Sequence, residues 1–258
     1  PFYWDLTSLY DNFYRENGTR GQRVDLRPRI YYPWRFKTYL DLEPSVGFRE
    51  TAYYVNQFDD PDASSDDDTQ HRELYDINIE LSTDIFKTYA AQIGHADRVR
   101  HVIRPQITYE YIWGTDQDDL PFFNEIDRID KKNVITYSIT NNLMYRAHKS
   151  VPNEKNLSNS TDSNNPEYAY SQFGRFKLLQ TYDIDKARRN EPRAFSPIGA
   201  ELDIFTGRYG SLQADAAWST YDKEFVSRNA ALSLNDWRDD KLFVEYRFEQ
   251  VVLDRPNP

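Results

Sequence analysis

Residues 23–36 read RVDLRPRIYYPWRF. Val24, Leu26, Ile30, Tyr32 and Trp34 stand on even positions, and Arg23, Asp25, Arg27, Arg29 and Arg35 on odd ones. In an extended strand successive side chains point to opposite faces, so this stretch makes one greasy face and one ionised face. Two architectures use such a strand. A soluble sheet packs its apolar face on a core and wets the other, whereas a transmembrane barrel turns the apolar face to lipid and the charged face to a hydrated lumen.

The same period recurs along the chain. Trp4, Leu6 and Tyr10 alternate with Asp5, Thr7 and Asp11; Leu40, Leu42, Val46 and Phe48 with Asp41, Glu43, Ser45 and Arg49. Tyr75, Ile77, Ile79, Leu81 and Ile85 oppose Asp76, Asn78, Glu80, Ser82 and Asp84, and Ile103, Ile107, Tyr109 and Tyr111 oppose Arg104, Gln106, Thr108 and Glu110. Further stretches with this period lie at 133–146, 173–184, 197–205, 209–221, 225–235 and 241–249. About eleven strands result, many of them reaching the roughly 9–11 residues that a tilted strand needs to cross a bilayer.

Composition favours the membrane reading. Hydrophobic residues make up 39% of the 258 positions while aromatics reach 16%, with 20 Tyr, 15 Phe and 5 Trp. Outer-membrane barrels place such rings in belts at both lipid–water boundaries, and Trp4, Trp34, Tyr111, Trp113 and Trp218 are the candidate boundary anchors. No run approaches the roughly 20 apolar residues of a spanning helix. A net charge of -10 argues against nucleic acid as the main partner. Cysteine is absent, which removes disulfide and thiolate chemistry.

Long polar connections are expected at 56–70, 114–132 and 148–167, with short turns near Lys37 and Thr38 and at 206–211. Pro28, Pro44 and Pro105 fall in mid-strand. They mark bulges or rim positions, or else the strands are shorter than drawn. Asp66–Asp68 and Asp116, Asp118 and Asp119 lack the spacing of a calcium loop and read as solvated charge. His71, His95, His101 and His148 are scattered, and no nucleophile elbow, phosphate loop or dinucleotide fingerprint occurs, so neither enzyme chemistry nor a metal or cofactor is expected.

The stretch 101–143 carries more than a general β pattern. His101, Pro105, Tyr109 and Tyr111 lie on one strand; Asp116 and Gln117 follow in a loop; Asp127, Arg128 and Ile129 lead into Asn133, Thr136, Thr140 and Asn141. In order and spacing this resembles the LptD family of lipopolysaccharide-assembly outer-membrane proteins of Gram-negative bacteria, and the stretches before it look like that family's preceding strands. The resemblance implies an all-β antiparallel barrel of about 26 strands, of which residues 1–258 would be an incomplete, open part. It also implies a periplasmic jellyroll, expected outside this chain together with the first and last strands. The implied partners are lipopolysaccharide, a plug lipoprotein (LptE) in the lumen, a periplasmic bridge protein reached through the jellyroll, and outer-membrane lipid. The polar lining of the lumen is then expected to include Arg27, Arg29, Asp41, Glu43, Asp76, Asn78, Glu80, Arg104, Gln106 and Glu110. Two rivals stand beside this reading: a porin or nutrient-transporter barrel, and a soluble carbohydrate-active β-sandwich. The sandwich predicts Leu26, Ile77 and Ile107 sealed between two sheets.

Overall fold

The computed structural model describes residues 2–14, 16, 18–58, 69–93, 96–148, 168–207 and 209–250. Its strands are β1 (Tyr3–Phe13), β2 (Gly18–Tyr31), β3 (Trp34–Phe36), β4 (Leu40–Phe58), β5 (Thr69–Ser82), β6 (Ile85–Ile93) and β7 (Ala96–Gly114), then β8 (Lys132–His148), β9 (Tyr168–Asp183), β10 (Ile198–Phe205), β11 (Gly210–Ser219), β12 (Glu224–Asn235) and β13 (Lys241–Glu249). One helical turn, α1 (Ile184–Arg188), follows β9, capped by the Asp183 carboxylate accepting from the Lys186 amide at 2.9 Å.

These strands make one 13-stranded sheet in the order β1-β2-β4-β5-β7-β8-β9-β10-β11-β12-β13, with β3 paired to β4 and β6 to β7. Every pairing whose register is resolved is antiparallel. The order is open, since among the described residues β1 and β13 each have one neighbour. The eleven expected strands correspond to the eleven on this path. Two of them are broken: the stretch 23–36 is interrupted after Tyr31, and β3 resumes against β4, while 75–86 is interrupted at Thr83 and Asp84, after which β6 pairs with β7.

Neither Pro28 nor Pro44 shifts the register of its ladder. Pro28 faces Leu6 on one side, and on the other the β2–β4 ladder skips its level and resumes at Arg29↔Gly47 with the register unchanged. A residue with no N–H leaves that gap without needing a bulge. Pro44 lies in the continuous β4–β5 ladder opposite Ile79 and accepts from the Tyr32 amide at 3.0 Å. The Pro105 carbonyl accepts from the Thr83 amide at 3.3 Å, at the interruption itself.

The chain divides into two compact units. One comprises residues 1–82, 107–136 and 182–194; the other comprises 83–106, 137–181 and 195–258. In the first, the registers Arg29↔Gly47↔Asp76, Tyr31↔Ser45↔Asn78 and Glu43↔Glu80 put the polar residues of β2, β4 and β5 on one face, and Ile30↔Val46↔Ile77 put the apolar ones on the other. Leu26 is 40% exposed, Ile77 38% and Ile107 48%, so the apolar face lacks the cover that a sandwich would supply. In the second unit, Leu202↔Ala214↔Ala230↔Tyr246 and Ile204↔Leu212↔Leu232↔Val244 make the apolar face, against Glu201↔Asp215↔Asn229↔Arg247 on the polar one. A register set by which side chains share a face is strongly specified, because a slip of one residue exchanges the two faces.

Candidate functional site

The polar face of the first unit is the candidate site, and it has two parts. Its lower part is a cavity of about 280 Å³ lined by Asp5, Thr7, Arg27, Arg29, Tyr31, Asp76, Ile77, Asn78, Glu110 and Ile112. Five of the ten expected lining residues meet here: Arg27, Arg29, Asp76, Asn78 and Glu110. Arg29 is held by Asp76 and by Ser45 Oγ at 2.9 Å. Arg27 keeps 45% of its side chain exposed and stands 3.9 Å from Asp76, so its guanidinium is presented to the cavity. Lys132 donates to Glu110 at 3.0 Å. Gly47 makes the room for this arrangement, as a Cβ there would collide with the Asp76 carboxylate.

The other expected lining residues lie outside the cavity. Asp41 pairs with Arg35 beside the β3–β4 hairpin, whose turn is closed by Lys37 at φ 53°. Glu43 accepts from the Tyr3 hydroxyl at 3.1 Å and is the register partner of Glu80. In the second unit Arg104 grips Asp84 with two hydrogen bonds of 2.7 and 2.9 Å, and Gln106 sits on the same strand.

The upper part of the face is covered. Residues 115–131, the inner part of the polar connection expected at 114–132, fold back onto it through a short 3-10 turn at Glu125–Asp127. Asp116, Asp118 and Asp119 stay exposed on the outer side of this segment. On its inner side Phe123 packs with Tyr53 and Val55 and stacks on Phe13 at 4.4 Å between ring centroids. The closeness of that seat depends on Gly21, where a Cβ would come within 2.6 Å of the Phe123 ring.

Around this apolar plug runs a buried ionic network. Arg23, fully buried, donates to Asp127 at 2.7 Å, to Asn124 Oδ1 at 2.8 Å and to Asp11. Arg72, also fully buried, donates to the Ile126 carbonyl at 2.9 Å, to Thr51 Oγ1 at 2.9 Å and to Gln117 Oε1 at 3.2 Å. Thr51 in turn donates to Asp25, which is gripped by Arg49 through two bonds of 2.8 Å. Buried charges are costly unless each is paired and hydrogen-bonded. Arg23 meets this through Asp127 and Asp11, whereas Arg72 relies on neutral acceptors, and among the described residues the Nε of each arginine is buried without a partner. Burial alone would push the Asp127 carboxyl up, but the Asn124 and Phe123 amides and the Arg23 guanidinium outweigh it and hold the group below the ordinary aspartate range.

The residues singled out at 116–133 therefore have structural work. Gln117 clamps Ile129 through both its amide atoms, at 2.6 and 3.0 Å. Asp116 accepts from the Asp118 amide at 3.3 Å. Arg128 ties the segment to itself through the Leu120 and Pro121 carbonyls. Asn133 accepts from Tyr109 at 3.2 Å and donates to Asp185 of α1 at 2.8 Å. Of the expected boundary rings, Trp4 and Trp34 stand near the strand ends where β1 begins and β2 and β3 finish, and Tyr111 and Trp113 stand near the end of β7, with Trp113 against Tyr75. Trp218, in the second unit, meets Phe225 edge-on at 4.7 Å. Of the connections expected at 56–70 and 148–167, residues 56–58 and 69–70 belong to β4 and β5 and residue 148 ends β8, while 59–68, with Asp66–Asp68, and 149–167 lie outside the described residues.

Comparison with known proteins bears on this arrangement. The chain is 20% identical over 262 residues to the LPS-assembly protein LptD of Methylococcus capsulatus (strain ATCC 33009 / NCIMB 11132 / Bath), which covers 93% of this chain. It spans about a quarter of the length of that curated relative, 25%. The family model described as LPS transport system D matches residues 1–257. An open antiparallel sheet with one ionised and one exposed apolar face, matched by that model over nearly its whole length, makes this chain a member of the LPS transport system D family.

Proposed function

We propose that residues 1–258 are part of an outer-membrane β-barrel that carries lipopolysaccharide to the outer leaflet, moving the lipid without making or breaking a bond. The observation that carries this is the exposed apolar face of Leu26, Ile30, Ile77 and Ile107, backed by an ionised face on the same strands. A phosphorylated glycolipid cannot carry its head group through hydrocarbon, because desolvating those charges costs too much. A hydrated lumen lined by Arg27, Arg29, Asp76, Asn78 and Glu110 removes that cost for the head group, while the acyl chains stay with the apolar side. The mixed signs of the lining suit sugar hydroxyls and phosphates together with the polar surface of an LptE-type plug. A bridge protein would deliver the lipid through a jellyroll encoded elsewhere in the full-length protein. Trp4, Trp34, Tyr111, Trp113 and Trp218 then anchor the sheet at the two boundaries.

The test is depletion of the full-length protein in cells, with rescue by the unchanged gene or by one carrying Arg27→Glu together with Arg29→Glu. The expected result is normal insertion of the variant in the outer membrane with less newly made lipopolysaccharide at the surface. Normal surface lipopolysaccharide on depletion, or a solute flux that the protein itself conducts, would support the porin reading instead.

A further inference from the structure

On the apolar face of the second unit one strand carries a charge. The register Ala216↔Arg228↔Phe248 puts Arg228 on the same face as Ala230, Leu232, Val244 and Tyr246. Its guanidinium lies 4.7 Å from the centre of the Phe248 ring and 5.9 Å from those of Phe225 and Tyr246. Trp218 closes the cluster against Phe225. Leu232 and Leu234 occupy the opposite end of β12, so the charge sits among rings at one end of an otherwise aliphatic face. Its lateral neighbours on that face carry no acid, and among the described residues Arg228 makes no ion pair.

A lone guanidinium on a lipid-facing surface is expensive unless it reaches the interface and meets an anion. The rings hold the cation by their π faces but leave its N–H groups unsatisfied. Phosphate oxygens match the planar fork of an arginine, and on the membrane reading the rings around Arg228, Trp218 among them, mark the interfacial level at which lipid phosphates lie. Beside the arginine Ala216, and next along the strands Ala214 and Ala230, leave the face shallow, which gives an acyl chain a place to lie along the strands. We infer that Arg228, with Phe225, Tyr246 and Phe248, is a binding site for the phosphate group of a membrane lipid on the outer surface of the barrel. The inference rests on the membrane reading of the apolar face and adds to it a defined contact that neither the lumen nor lipopolysaccharide transport requires.

The test uses the full-length protein in detergent, with bound lipid counted by native mass spectrometry after titration with dioleoylphosphatidate or with dioleoylglycerol, which has the same tails and no phosphate. Arg228→Gln should bind phosphatidate about tenfold more weakly at one site, Arg228→Lys should fall between the two because it keeps the charge and loses the fork, and dioleoylglycerol should not distinguish the variants. Inorganic phosphate at millimolar concentration should not displace the lipid. Equal phosphatidate binding by Arg228→Gln and the unchanged protein overturns the site, and so does displacement by inorganic phosphate. If Arg228→Gln fails to fold, Phe248→Leu carries the test: it leaves the charge and removes the ring beneath it, and unchanged phosphatidate affinity overturns the site. A protein that is monomeric in water without detergent overturns the membrane reading and the site together, whereas a detergent-dependent protein with an indifferent Arg228 loses only the site.

Discussion

Arg23 and Asp127 stand 104 positions apart in the chain and 2.7 Å apart in space, both with fully buried side chains. The contact fastens the segment 115–131 to the polar face of β2, and its energetics differ from those of a surface pair. Replacing Asp127 with Ala deprives a buried guanidinium of its closest anion, which costs about 3–5 kcal/mol for pairs of this kind. The expected outcome is a lower denaturation midpoint and rapid proteolysis between Thr115 and Lys131 in the folded protein. An unchanged protease pattern would mean that the apolar seat of Phe123 is sufficient alone.

The same contact sets a dependence on pH. Asp127 is held below its unfolded value of about 3.9, so between the two values the unfolded chain binds more protons and stability rises with pH. The stabilisation is fully present above about pH 5 and is lost as pH falls through the folded value below about 4. Protease release of the segment measured from pH 6 to pH 3 should be flat and then rise. In Asp127→Asn the part of that rise due to this carboxyl should be missing.

Gly21 separates packing from charge. A methyl group there meets the Phe123 ring and the Tyr54 carbonyl, each at 2.6 Å. Gly21→Ala should therefore loosen the segment by about 1–3 kcal/mol, the usual range for overpacking, while leaving every ionic partner in place. Amide exchange of the Phe123 and Asn124 N–H groups is the measurement. Unaltered exchange would show that β2 and β4 yield instead.

Adjacent residues on β5 should answer oppositely to the same change. On the proposed membrane reading Ile77→Arg puts a charge against lipid and costs about 2–4 kcal/mol near the bilayer midplane, whereas Asn78→Arg, on the polar face, should cost little. Folding into lipid vesicles, followed by electrophoretic mobility without boiling, distinguishes them. Equal losses would show that the two faces meet the same surroundings.

Since the chain has no cysteine, single replacements report the faces directly. Asn78→Cys should react with a water-soluble, membrane-impermeant maleimide, and a spin label on Ile77→Cys should be quenched by a lipid-soluble relaxation agent. The reverse pattern would overturn the orientation of the sheet.

What was legible in the sequence follows from distance along the chain. The two faces of β2, β4 and β5 could be read from Arg27, Arg29 and Ile30 or from Asp76 and Ile77, because period-two alternation is a local property and one register satisfies it. The break at Thr83 was not legible, since strand-forming residues continue on both sides, and the signal of Pro33, which has no N–H for the ladder, was masked by the alternation running through it. Nor was the seat of residues 115–131: its sequence is polar and turn-rich, as solvated loops are, and its anchors Arg23 and Arg72 look like ordinary charges on a wet face. Only the folded sheet brings those arginines beneath Asp127 and the Ile126 carbonyl. Arg228 escaped notice for the same reason, its rings coming from a neighbouring strand as well as its own.

The anchoring of Asp127 to Arg23 also bears on how the sheet is put together. The smallest slip of β2 that preserves its two faces is by two residues, and it would bring either Gly21 or Asp25 beneath the incoming carboxylate. Glycine offers that carboxylate no side-chain donor, and aspartate repels it. The Arg23–Asp127 contact therefore forms only over a correctly aligned β2, so the segment's ionic anchor reports the strand register as well as covering the face.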